Sequence, residues 1–240
     1  MAVVEYAGGG ITSALNSASA TTTVAVPLFT GTQANQPIIM AVASDASSGS
    51  WTTPSGWSVL MASIAVATDM VVAAYYKYSS GAESSTVTVT GPSGHMVGSS
   101  ISLRCVTFGG SGVTPYAATI AATGTTSTSG PTTAGTLSPA VQANGLAVRI
   151  LWCSSNSAGA NGTFTPPAGS WTTRQKFINS SSSSAFCTGI SFSTQLGAAS
   201  SQATSCSLSS AWRVADSWFI PGAYPAGLRV MQAVQNAASL

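Results

Sequence analysis

His95 is the chain's single histidine, and its side-chain carboxylates are Glu5, Asp45, Asp69, Glu83 and Asp216. Any acid–base chemistry has to be built from these groups. A Ser–His–Asp arrangement needs a histidine held between a serine and an acid, and serine is abundant. His95 lies in "GPSGHMVGSS" (91–100), which reads as a loop, and no nucleophile-elbow motif is near it. Glycoside hydrolysis asks for two carboxylates across a cleft. Asp45 and Glu83 are the available pair, and both sit among turn residues, where acids are ordinary surface groups. Asp45 and Asp69, with nearby Ser and Asn oxygens, are candidates for a calcium loop. Such a loop usually collects several acidic oxygens, and these are dispersed. No catalytic, cofactor or metal site is expected.

Other chemistry is equally thin. Neither Gly8-Gly9-Gly10 nor "GGSG" (109–112) is followed by the Lys-Ser/Thr of a phosphate loop. Asn161-Gly-Thr and Asn179-Ser-Ser would accept glycans only on a eukaryotic secretory route. Cys105, Cys153, Cys187 and Cys206 show no CxxC spacing, which with one histidine speaks against zinc. They read as buried thiols. Cys187 and Cys206, on neighbouring predicted strands, could pair in an oxidising medium.

The aromatic residues are more informative. "WTTPSGW" (51–57) brackets a turn with Trp51 and Trp57, and "FTPPAGSW" (164–171) repeats the phrase, ending on Trp171. Pro54 and Gly56, and Pro166, Pro167 and Gly169, supply the fixed and the positive φ of a sharp corner. A ring placed directly after such a corner can fold over the end of a β-sandwich and close its core. The functional alternative is a stacking platform for sugars. The structural reading is preferred, because a platform would not have to recur with the same neighbours.

These corners need strands to join. "PIIMAVAS" (37–44), "MVVAAYYKY" (70–78), "STVTVT" (85–90), "SISLRCVTF" (100–108), "GLAVRILWC" (145–153), "AFCTGISF" (185–192) and "AWRVADSWFI" (211–220) are short β-branched or alternating runs between Gly, Pro, Asn and Ser clusters. The pattern is that of an all-β sandwich, with no convincing helix before residue 223. Charged residues are 5% of the chain, against roughly a quarter in ordinary soluble domains. The formal charge is +2 with Lys and Arg scattered, so no nucleic-acid footprint is present. Mean hydropathy is positive, yet no apolar run reaches the ~20 residues that span a bilayer. The first residues lack the basic and apolar regions of a secretory signal, so folding in a cytoplasm is expected.

The chain also repeats itself. "TQANQPIIMAVAS" (32–44) matches "VQANGLAVRILWCSS" (141–155), and each half ends on a strand containing arginine. Gln33 to Gln142 is an offset of 109 (142 − 33), and Arg104 to Arg213 is again 109 (213 − 104). The expected organisation is an N-terminal arm (1–20), a sandwich (21–222) made of pseudo-repeats 21–110 and 115–221, and a C-terminal arm (223–240). A single sandwich to which both halves contribute is preferred over two small tandem sandwiches, whose separate cores would be thin.

The run "IIMAVASD…WTTPSGWSVLM…MVVAAYYKYSSGAESSTVTVTG", with "GLAVRIL…TFTPPAGSWTTRQ", resembles a domain of tailed-phage virion proteins, notably of phages of actinobacteria, found in minor tail and capsid-associated proteins. The likeness covers about 35–221. The chain departs from it at Ser55, Ser84 and the inserted Ser170. The resemblance implies a jelly-roll-like sandwich on the outside of a virion assembled in a bacterial cytoplasm, and it carries over no catalytic residue. The expected role is a capsid decoration protein, with a minor tail protein as the near alternative. A carbohydrate-binding receptor module for a host-surface glycan is the rival from another class.

Partners are then expected to be further copies of the chain and a capsid or tail protein. The contacts would be apolar or β-pairing, since charge is scarce. Val3-Val4-Glu5-Tyr6 reads as a short strand before a Gly8-Gly9-Gly10 hinge. Beyond the last core strand, Leu228, Val230, Met231 and Val234 make a candidate contact arm, an apolar stripe if that segment is helical.

Overall fold

β-branched and small residues in runs of five to ten, broken by turn residues, give a chain of strands. The computed structural model describes residues 5–9, 20–66, 70–104, 106–108, 116–133, 146–155, 163–165, 171–180, 187–196 and 203–223. In chain order the strands are β1 (Glu5–Gly9), β2 (Thr21–Pro27), β3 (Pro37–Ser44), β4 (Ser58–Val66), β5 (Met70–Tyr78), β6 (Thr86–Gly94), β7 (Met96–Arg104), β8 (Val106–Phe108), β9 (Tyr116–Thr133), β10 (Leu146–Ser155), β11 (Thr163–Thr165), β12 (Thr172–Ser180), β13 (Cys187–Leu196) and β14 (Ala203–Ala223). No helix occurs among the described residues. The protein is an all-β antiparallel sandwich.

Each half is wound on itself. In the first, β1 pairs with β7, β2 with β6 and β3 with β5, one pairing nested inside the next. In the second, the start of β9 pairs with the end of β14, the end of β9 with the start of β14, and β10 with β13. The sheet orders agree: β1-β7-β3-β5-β4 in the first half, and β9-β14-β10-β13-β12 in the second. Among the described residues one ladder crosses between halves, β8 with the last residues of β14.

The register makes the correspondence specific. Ser58, Tyr76, Ile39 and Ile101 form one rank across the first sheet. Thr172, Thr194, Val148 and Phe219 form the matching rank across the second. Trp57 and Trp171 each stand one residue before the first member of their rank. Ile39 and Val148 keep the offset of 109 (148 − 39), whereas Ile101 and Phe219 are 118 apart (219 − 101). Arg104 and Arg213 are therefore not positional equivalents, despite sharing the offset of 109 in the sequence.

The core explains why β3 is buried along its whole length. Its odd residues, Ile39, Ala41 and Ala43, pack toward Val148, Ile150, Trp152, Ile190 and Phe192 of the second sheet. Its even residues, Ile38, Met40 and Val42, pack under β2 and β6 with Val24, Val26 and Val89. The two long sheets thus face each other, one from each half, and the β2–β6 ribbon covers the far side of the first. Each aliphatic side chain buried this way contributes roughly 1.5–3 kcal/mol. Buried hydroxyls beside the ribbon are paired: Ser100 Oγ donates to Pro27 O (2.6 Å), and the Thr32 and Ser102 hydroxyls meet at 2.7 Å.

Three expectations change. The "GPSGHMVGSS" loop is strand apart from His95: residues 91–94 end β6 and Met96 opens β7. Gly8 and Gly9 are not a hinge but members of β1, opposite Ser102 and Ile101. Cys187 and Cys206 are not on neighbouring strands, because β10 lies between β13 and β14. Cys187 stands opposite Ser155, Ser155 opposite Trp212, and Cys206 is six residues (212 − 206) farther along. That separates the two backbones by roughly 20 Å along the strands and about 10 Å across them, where a disulfide spans at most ~7 Å between α-carbons. Pro166, Pro167, Gly169 and the arm residues Leu228, Val230, Met231 and Val234 lie outside the described residues, as do Cys105 and Asp69.

Candidate functional site

The corner between β3 and β4 is the best-defined of the recurring features. Trp57 N–H donates to Pro54 O (3.1 Å), closing a four-residue turn. Its third residue, Gly56, has φ 78°, a backbone state that side chains with a β-carbon resist. Trp51 is held from several sides. Its amide donates to Ser63 Oγ (2.7 Å) and its indole Nε1–H to Val71 O (3.0 Å). Thr52 N–H adds a bond to Thr90 O (2.8 Å), tying the corner to β6. The Trp51 ring lies flat on Gly91: a β-carbon there would overlap Trp51 Cε3 and sit 2.6 Å from Cζ3.

Trp51, Trp57 and Trp171 are 5%, 8% and 6% exposed, so none offers a ring face for a sugar to stack on. Trp51 and Trp57 belong to the cluster under the β2–β6 ribbon. Pro54 is half-buried, and Ser55 and Gly56 are exposed. In the second half the corner phrase has Phe164 where the first has Trp51. Phe164 pairs with Cys206 of β14 through the short strand β11, where the first half makes the single Thr52–Thr90 bond.

Among the described residues, two pairs of ionisable side chains escape a reading of the sequence. Lys77 Nζ is 2.6 Å from Glu83 Oε2 and 5.7 Å from the centre of the Trp57 ring, within cation–π range. Glu83 Oε1 also accepts from the Ser80 amide (2.8 Å) and hydroxyl (3.2 Å). Burial pushes the Glu83 carboxyl up. The hydrogen bonds and charge of Lys77, with those from Ser80, outweigh it and hold the carboxyl below its ordinary value. The Tyr75 phenol goes the other way: burial pushes it up to about 12, against a smaller opposing effect of Ser63.

The second pair joins Asp45 to His95. Nδ1 lies 2.6 Å from Asp45 Oδ2, and the His95 amide donates to Asp45 Oδ1 at 2.6 Å. The Asp45 amide donates back to His95 O (3.3 Å). This is a clasp at the end of the β3–β7 ladder, where Ser44 and Met96 are the last partners. A β-carbon on Gly94 would crowd Ser44 Oγ and Asp45 Oδ1, which accounts for that glycine.

These positions settle which groups come together. Asp45 follows one end of β3, and Glu83 follows the end of β5 that lies opposite Pro37 at the other end of β3. An eight-residue strand holds them roughly 25 Å apart, well beyond the ~5–9.5 Å of paired glycosidase carboxylates. Among the described residues no group of three or more His, Cys, Asp and Glu could hold a metal ion. Arg149 is buried at 1% exposure in β10, at the position matching Met40 of β3. Trp152 Nε1 and Thr173 Oγ1 are buried with no hydrogen-bond partner. No protein-family model matches the chain, no curated protein matches it, and no solved structure matches it.

Proposed function

We propose that this protein is a structural component of a tailed-phage virion, bound on the head surface as a capsid decoration protein. The observation that carries the reading is the burial of Trp51, Trp57 and Trp171. A receptor module of the sugar-stacking kind would present such rings in a row. A shell-bound sandwich uses them to close its core and turns Ser and Thr outward. Among the described residues the one exposed large hydrophobic side chain is Val59. Thr22, Thr23, Thr52, Thr53 and Ser58 are all exposed.

Further support comes from the likeness of the corner and strand phrases to virion proteins and from the sandwich with nested ladders in both halves. Fold alone does not determine function, so the winding counts only beside the sequence likeness. A minor tail protein is the same reading at a different place on the particle. The test is to label intact particles with a Fab raised against this protein and image them by electron microscopy. Label over the head faces is the expected result. Label confined to the tail replaces decoration with the tail role, and no label on any particle overturns both.

A further inference from the structure

The two halves differ in one respect that their shared winding makes measurable. In the second half the outer strand is unbroken. From Tyr116 to Thr133 is 17 residues (133 − 116), and their partners Ile220 and Ala203 are also 17 apart (220 − 203). In the first half the same path is divided between β1 and β2. From Glu5 to Pro27 is 22 residues (27 − 5), while their partners Arg104 and Thr86 are only 18 apart (104 − 86). The first half therefore carries four more residues than its path along β6 and β7 requires.

The strand at the end of that surplus is weakly held. β1 makes four pairs with β7, with one irregularity between Tyr6 and Gly8, where β9 makes twelve with β14 across three irregularities. Two of its five residues are glycines, which lose the most conformational freedom on being fixed in a strand. β1 also lies at the edge of its sheet. Without it the outer edge of β7 from Ile101 to Arg104 would be bare, a template for another strand.

From this we infer that β1 is an exchangeable strand, and that its second site is the β7 edge of another copy of this chain. The ladder formed with a neighbour is the same ladder, Glu5 opposite Arg104 through Gly9 opposite Ile101. Exchange therefore costs no contact, and copy number and proximity decide between the two arrangements. The ten residues between Gly9 and Ala20 reach at most ~40 Å. The two β7 edges must then lie close to each other, as in a reciprocal dimer or a closed ring.

Two separately tagged full-length chains test this when co-expressed, one Glu5→Cys and the other Arg104→Cys. Exchange yields, on oxidation, a disulfide-linked species carrying both tags. Each variant expressed alone reports any background from the native cysteines. If the Glu5→Cys/Arg104→Cys double variant links only within its own chain and the mixture gives no two-tag species, the inference is wrong. Light scattering on a chain lacking residues 1–9 is the second readout. Loss of self-association with the β spectrum retained agrees with exchange, and self-association equal to that of the full chain overturns it. Neither readout involves particles, so the outcome is independent of the virion assignment.

Discussion

Lys77 lies 2.6 Å from Glu83 and so anchors the turn after β5 to the Trp57 corner beneath it. The Glu83 side chain is 5% exposed, and its carboxyl accepts hydrogen bonds from Lys77 and Ser80. Glu83→Gln should cost about 2 kcal/mol at pH 7. The sign of the pH effect follows from the lowered carboxyl. Its contribution is present above the ordinary value of 4.5 and is lost as pH falls through the lower folded value. Urea unfolding at several pH values should therefore show wild type and Glu83→Gln converging in acid. A gap that stays constant in acid would remove Glu83 from the acid response.

The Asp45–His95 clasp makes a separate prediction. Asp45→Ala leaves the His95 amide and ring without their carboxylate and should cost about 1–3 kcal/mol. Asp45→Asn keeps an acceptor for the amide and should cost less. Amide exchange at His95 should quicken in Asp45→Ala while exchange at Ile39 in the core stays slow. Equal acceleration at both sites would mean global destabilisation rather than an opened clasp.

Two glycines separate backbone demand from space. Gly56 has positive φ and no atom within 4 Å of where a β-carbon would stand, so Gly56→Ala should cost about 1 kcal/mol through the backbone alone. At Gly91 the added methyl meets the Trp51 indole, and Gly91→Ala should cost about 1–3 kcal/mol by overpacking. A double-mutant cycle with Trp51→Phe should show coupling for Gly91→Ala and near-additivity for Gly56→Ala. The opposite pattern would misplace the ring.

The sheet order bears on the thiols. Peptide mapping of air-oxidised protein should find no peptide linking Cys187 to Cys206. Such a peptide would require β10 to leave its place between β13 and β14.

Much of the fold is written in local pattern. "PIIMAVAS" and "MVVAAYYKY" coincide with β3 and β5, because uninterrupted β-branched and aromatic runs between turn residues have no competing reading. The nested ladders are not written in any local pattern, because each joins strands far apart in the chain. The stretch from 91 to 100 misled because glycine usually marks a turn. There it marks close approach instead: Gly91 faces Trp51, Gly94 faces Asp45 and Gly98 faces Val26. Asp45 and His95 are 50 residues apart, and nothing local joins them. Their meeting follows from the Ser44–Met96 register, which only the folded sheet supplies. The Arg104–Arg213 match shows the converse error, in which similar composition produced an offset that the ladders do not keep.

The placement of the main core between the halves sets a timetable for synthesis. The ladders of the first sheet and its ribbon all close among residues 5–104, so that sheet can be complete while the rest of the chain is still on the ribosome. Its face bearing Ile39, Ala41, Val72 and Ile101 then waits for Val148, Trp152, Ile190 and Phe192 to arrive. At about 5–20 residues per second the wait from residue 104 to residue 192 is roughly 5–20 s. During that interval every nascent chain displays a finished apolar sheet, and neighbouring chains on one messenger display the same face. Slowing elongation between the halves should raise the insoluble fraction, and supplying the second half in trans should lower it.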